Sequence, residues 1–150
     1  MGLFDELLAQ IDGSIERLPD KPEEDPESTL RALWFAAAGR PRSAEHAAEG
    51  ALPNLGPQGQ DTLRAFVAQR LSGVPLCYVT RRQRFLDLEM YAGPGALIPR
   101  KETEILGRAA LALIHEAVAR QGSARVIDVC TGSGNLALAL AAHEPSAAFE

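Results

Sequence analysis

A chain of 150 residues, 46% apolar, 23% charged and 5% aromatic, has the composition of a globular protein with a packed core rather than a disordered or fibrous one. A net charge of -5 argues against direct nucleic-acid binding, which needs concentrated Lys and Arg to displace counterions, and no apolar run approaches the ~20 residues of a membrane span. Cys77 and Cys130 have no C-x-x-C spacing, and the N-terminus carries acids where a secretory signal is basic, so a reduced, cytoplasmic setting is expected.

In chain order, Leu3, Phe4, Leu7, Leu8, Ile11, Ile15 and Leu18 recur at three- and four-residue steps, which predicts a helix from Leu3 to Leu18 that ends at Pro19. Asp20 to Ser28 is rich in acid and proline, with almost nothing to bury, and reads as a linker or loop. A helix over Thr29–Ala38 turns Leu30, Leu33 and Trp34 inward, with Trp34 as a core anchor, and Gly39 and Pro41 end it. A short helix near Ser43–Glu49 and a turn over Pro53–Pro57 precede a further apolar face, Leu63, Phe66, Val67 and Leu71, stopped by Ser72-Gly73. Residues 1–75 therefore read as a small helical bundle whose modest apolar surface needs a neighbour.

The period changes at Leu76. Leu76–Thr80 and Phe85–Tyr91 are short runs with near-alternating polarity, which predict a pair of strands and a β-hairpin connector over 76–100. Asp87 and Glu89 then face solvent. Arg81, Arg82 and Arg84 beside the hairpin form either a solvated edge that blocks sheet pairing or a contact for an acidic partner. After the Gly93-Pro94-Gly95 turn, Ile105, Leu106, Ala109, Leu113, Ile114 and Val118 predict an inward face on a helix from about Glu102 to Ala119, closed by Gly122. Then come a strand, Arg125–Cys130, a glycine turn, a helix, Asn135–His143, and the opening of a strand at Ala147–Glu150, so that the chain ends inside a βαβ unit. His46, His115 and His143 share no ligand spacing and read as structural or surface residues, with no metal site.

The segment that carries chemistry is Val126 to Ala137, an apolar strand running through a glycine loop into a helix. Gly132 and Gly134 permit a tight turn and close approach to a ligand, and the new helix offers unpaired N–H groups, as in nucleotide-type cofactor sites. The loop alone also fits the G-x-G-x-x-[GA] dinucleotide pattern and leaves NAD open. Asp128 bears on that choice: a carboxylate four residues before the first loop glycine would repel a pyrophosphate and favour a sulfonium with a free amino group.

Four blocks together, Arg70–Tyr78, Phe85–Leu88, Gly95–Glu104 and the Asp128–Gly134 loop, resemble in order and spacing the HemK/PrmC family of glutamine methyltransferases over about Leu30 to Glu150. The resemblance implies an α/β protein with an N-terminal helical bundle for substrate recognition, the hairpin connector, and from residue 101 the start of a class I, Rossmann-like domain that binds S-adenosyl-L-methionine (SAM). It implies methyl transfer to the amide nitrogen of a glutamine in a peptide chain release factor, or in a ribosomal protein for close relatives. By position, Asp128, Cys130, Thr131, Gly132, Ser133 and Gly134 would hold SAM, and Pro99, Arg100, Thr103 and Glu104 would border the same pocket. Cys130 stands where release-factor enzymes most often carry glycine and resembles the ribosomal-protein branch, and Lys101 replaces a common proline. The family's Asn-Pro-Pro-Tyr motif and its ribose-binding acid do not occur in these 150 residues, so no turnover is expected from them alone. Two other functions stay open: a non-catalytic module that docks a translation factor, and an NAD-binding oxidoreductase.

Overall fold

A computed structural model describes residues 2–15 and 21–150, which fall into two compact units, 1–84 with 91–94, and 85–90 with 95–150. The first unit is helical: α1 (Leu3–Asp12), α2 (Pro26–Ala37), α3 (Ala44–Ala47), α4 (Pro57–Leu71) and α5 (Leu76–Thr80). Helix α2 is the hub, packed on α1, α3, α4 and α5. Its fully buried Leu30 and Leu33 meet Leu7 and Ile11 of α1 and Leu63 and Val67 of α4. Trp34 sits half-buried at the edge of this core, where its indole N–H donates to the Pro53 carbonyl at 2.7 Å and its ring meets Phe4 at 5.9 Å.

Helix α1 ends sooner than its apolar spacing predicts, at Asp12, where Gly13 and Ser14 turn the chain; Leu18 and Pro19 lie outside the described residues. The loop expected over Asp20–Ser28 is shorter: Lys21–Asp25 lie outside any helix, and Asp20 lies outside the described residues. Pro26, Glu27 and Ser28 form the first turn of α2, with Asp25 as its cap accepting from the Ser28 N–H at 2.9 Å and Pro26 at a position where a missing N–H costs nothing. Just before it, Glu24 is buried between Lys21, at 2.9 Å, and Arg70 of α4, at 3.2 Å. Burial alone would lower the Lys21 pKa, but the hydrogen bond and charge of Glu24 outweigh it and leave the ammonium above its usual value.

Leu76–Thr80 is a helix, not the strand its β-branched tail predicts. Pro75 opens it, and Leu76, Cys77, Val79 and Thr80 are all buried against α2 and α4, so tertiary packing overrides local preference in a five-residue segment. Burial raises the Cys77 thiol pKa, with Lys21 opposing. A thiol held protonated in the fold stabilises it fully below the unfolded thiol pKa, and that contribution is lost as pH rises through the folded one. We expect iodoacetamide at pH 8 to label exposed Cys130 promptly and Cys77 only once denaturant opens the bundle, as read by peptide mass spectrometry.

The hairpin is displaced along the chain: β1 (Arg82–Phe85) and β2 (Leu88–Tyr91) pair across a two-residue turn, Leu86-Asp87. Both turn residues are left-handed, φ 46° and 65°, as a type I′ connection demands. The three neighbouring arginines are not a uniform solvated edge. Arg81 is exposed, but Arg82 lies over the Tyr91 ring at 4.1 Å and Arg84 is half-buried.

The second unit contains the hairpin tip, α6 (Lys101–Gln121), β3 (Ala124–Val126), α7 (Asn135–His143) and β4 (Ala147–Phe149). Gly122 ends α6 in the left-handed conformation, φ 77°, its N–H donating to Val118 O at 2.7 Å. Strands β3 and β4 are parallel, with Val126 beside Phe149, and α7 makes the crossover. The core is Phe85, Leu86, Ile114, Ala139 and Leu140. Helix α6 buries only part of its expected apolar face: Ile114 is buried and Val118 packs on the core, whereas Ile105 and Leu113 are 72% and 68% exposed. The bare surface of Gly107 lets Leu86 approach the helix. Helices and small sheets thus make the chain a mixture of α and β, and no helix of the described residues is long and apolar enough to cross a membrane.

Candidate functional site

The ladder between β3 and β4 continues just past both strands. Glu150 N–H donates to Val126 O at 2.9 Å and Asp128 N–H to Glu150 O at 3.0 Å, which fixes the backbone at Asp128. There the chain leaves the sheet, so β3 is shorter than the predicted Arg125–Cys130. Cys130, Gly132 and Gly134 are all left-handed, φ 64°, 58° and 77°, and the loop closes with Gly134 N–H donating to Thr131 O at 2.9 Å. The Thr131 hydroxyl donates to Asp128 Oδ2 at 2.8 Å, which orients the carboxylate, and Ser133 meets Asn135 at 3.2 Å.

A Cβ on Gly132 would meet nothing nearer than Cys130 O at 4.0 Å, so the loop's outer face is open space. Gly134 caps α7 without a side-chain hydrogen bond, and the N–H groups of the helix's first turn have no intrahelical partner. An open glycine backbone, free helix N–H groups and one oriented, half-buried carboxylate fit a nucleoside cofactor bearing positive charge. They fit a diphosphate less well, because Asp128 adds a negative charge beside it.

Cys130 bears a strain that glycine would not. A non-glycine residue in this conformation costs on the order of 1–2 kcal/mol. Cys130→Val, with a β-branched side chain, is expected to lower stability by about 1–2 kcal/mol in chemical denaturation, and Cys130→Gly is expected not to.

Pro99, Arg100, Thr103 and Glu104 lie at the start of α6: Arg100 is its extended N-cap, Thr103 N–H donates to Arg100 O at 3.1 Å, and Glu104 faces Arg108 at 3.7 Å. Among the described residues no hydrogen bond or ion pair joins these four to Asp128 or to Cys130–Gly134. Sequence reasoning missed the cluster beside the first turn of α7, where Leu86 and Leu136 meet at Gly107 and the Leu86-Asp87 turn bonds to His143 and Arg108. A glycine in the middle of a 21-residue helix was the available signal, since it weakens a helix unless a close neighbour requires it.

A strand, an acid, a glycine turn and a helix leading back to a parallel strand follow the order expected of a nucleotide-type cofactor loop. No family model matches the chain. Curated relatives do, and they bear the name release factor glutamine methyltransferase. That of Xylella fastidiosa is 40% identical over 87 residues, 58% of this chain and 30% of the relative. That of Mycolicibacterium smegmatis is 40% identical over 93 residues, 61% and 31%, and that of Dictyoglomus turgidum 32% over 81 residues, 54% and 27%. The chain is thus similar to the HemK/PrmC family of methyltransferases, consistent with its N-terminal portion. The matches span about three-tenths of the length of these relatives.

Proposed function

We propose that this chain is the front part of a SAM-dependent methyltransferase that modifies a glutamine side-chain amide in a protein, a peptide chain release factor before the alternative of a ribosomal protein. The observation that carries the proposal is the Asp128–Thr131 bond at the strand end, on a chain whose relatives are named for this reaction. In the proposed division of labour, residues 1–75 recognise the protein substrate, the hairpin connects, and residues from 101 onward form the first part of a Rossmann-like domain. Asp128, held by Thr131, attracts the cationic end of the cofactor, while Cys130, Gly132, Ser133 and Gly134 present backbone around it. Pro99, Arg100, Thr103 and Glu104 line the same pocket from the start of α6. SAM supplies the reactive methyl group, so the protein's task is chiefly binding and orientation.

The test is methyl transfer by the whole protein, in the cytoplasmic setting proposed for it, from radiolabelled SAM to a purified release factor. Label on one glutamine, absent when that glutamine is replaced, is the expected result. A factor that binds without becoming labelled would instead support a non-catalytic docking module.

A further inference from the structure

We propose that the hairpin tip, Leu86-Asp87, positions the candidate cofactor loop, with Leu86 acting as a wedge between α6 and the first turn of α7. The proposal rests on the reading of that loop as a SAM site.

Leu86 is 1% exposed although it occupies a turn, and its left-handed backbone is unusual for a branched apolar residue. Three separate ties hold it there. The His143 imidazole, from Nε2, donates to the Leu86 carbonyl at 2.7 Å, and because a carbonyl only accepts, that nitrogen carries the proton. Arg108 pairs with Asp87 at 3.2 Å. Gly107 leaves a notch: a Cβ placed on it would stand 2.5 Å from Leu86 Cδ1 and 3.2 Å from Leu136 Cδ1. Leu86 and Leu136 therefore share this notch. Leu136 is the second residue of α7, two beyond Gly134, and the helix begins with Leu138 N–H donating to Gly134 O at 2.9 Å.

The wedge thus bears on the helical turn whose free N–H groups face the candidate ligand, while His143 ties the other end of the same helix to the same turn. A backbone that costs energy in a tight turn persists only where its surroundings impose it. Here the two-residue hairpin turn imposes the backbone, and α6 and α7 cover the side chain it places between them. Displacing Leu86 should let the start of α7 relax, and ligand binding at the loop should in turn tighten the tip, since coupling between two sites is reciprocal.

The experiment compares Leu86→Ala, Leu86→Met and Ile114→Ala in the whole protein. Binding of S-adenosylhomocysteine is read by calorimetry, and amide exchange over residues 131–136 by mass spectrometry. Ile114 belongs to the same core and serves as a control for general loss of packing. Leu86→Ala is expected to weaken binding about tenfold and to speed loop exchange by a similar factor, Leu86→Met to restore both, and Ile114→Ala to change neither. Should Leu86→Ala fail to fold, His143→Ala, at the chain's other tie, is expected to shift both readouts the same way by a smaller factor. Equal effects from Leu86→Ala and Ile114→Ala, or no effect of Leu86→Ala or His143→Ala on loop exchange, would overturn the proposal. A wild-type protein that binds no S-adenosylhomocysteine would refute the SAM site, and loop exchange would still judge the wedge.

Discussion

Glu24→Ala is expected to cost about 3–5 kcal/mol and to lower the melting temperature of the helical unit by more than about 10 °C. Glu24 is 9% exposed and lies between Lys21 at 2.9 Å and Arg70 at 3.2 Å, whose side chains are 19% and 11% exposed. Removing the carboxylate leaves two cations without their shared counter-charge in a poorly solvated place, and that desolvation dominates the loss. Among the described residues Arg70 has little else to turn to: it reaches Val74 O at 3.5 Å, and its Nε is buried without a hydrogen-bond partner. Combining Glu24→Ala with Arg70→Leu should recover part of the loss, since the stranded charge goes with its partner. The exposed Glu6–Arg64 pair, at 2.7 Å, lowers the Glu6 pKa through its hydrogen bond and charge, so its contribution is present above the ordinary carboxylate range and fades as pH falls. Salt should screen that surface pair and spare the Glu24 network. Thermal melts that show Glu24→Ala as stable as the wild type would remove the network from the account of the fold.

Gly107→Val should cost the second unit about 1–3 kcal/mol by overpacking. The added Cβ alone would stand 2.5 Å from Leu86 Cδ1. A leucine tip usually swings aside, but this one is tied by its carbonyl to His143 and through the next residue to Arg108. Gly107→Ala should lose less, because alanine regains about 1 kcal/mol of helix propensity in mid-helix. Adding Leu86→Ala to the valine variant should restore exchange protection in α6 and α7 toward the wild-type level. Failure of that rescue would place the clash elsewhere.

Much of the architecture was legible because local signals and tertiary demands agree. Helix α7 runs over Asn135–His143 as expected, since glycine before it and Pro145 after it leave no other length. The expected helix ending at Gly122 and the strand opening near Ala147 are present as well. Legibility failed where burial decided. Leu76–Thr80 has strand-like residues, yet it lies in a helical groove and closes as a short helix behind Pro75. The acids before α2 look solvated, until Arg70, 46 residues away in sequence, neutralises one of them. Along α6, periodicity marks Ile105, Leu113 and Ile114 alike, yet of these only Ile114 is buried, while Gly107, with no side chain to register in an apolar pattern, lies against Leu86. At the candidate site the acid and glycines were readable as residue types. The Thr131–Asp128 bond and the left-handed Cys130 needed coordinates, because no spacing encodes a side-chain hydrogen bond or a sign of φ.

Calorimetric titration of S-adenosylhomocysteine into the whole protein, beside its Asp128→Ala variant and with NAD as competitor, bears most directly on the central claim. The account predicts saturable binding by the wild type, affinity about 10- to 100-fold weaker in Asp128→Ala as a hydrogen bond to a charged group is lost, and no heat from NAD. Binding of NAD in place of S-adenosylhomocysteine, or equal affinity in the variant, would contradict it.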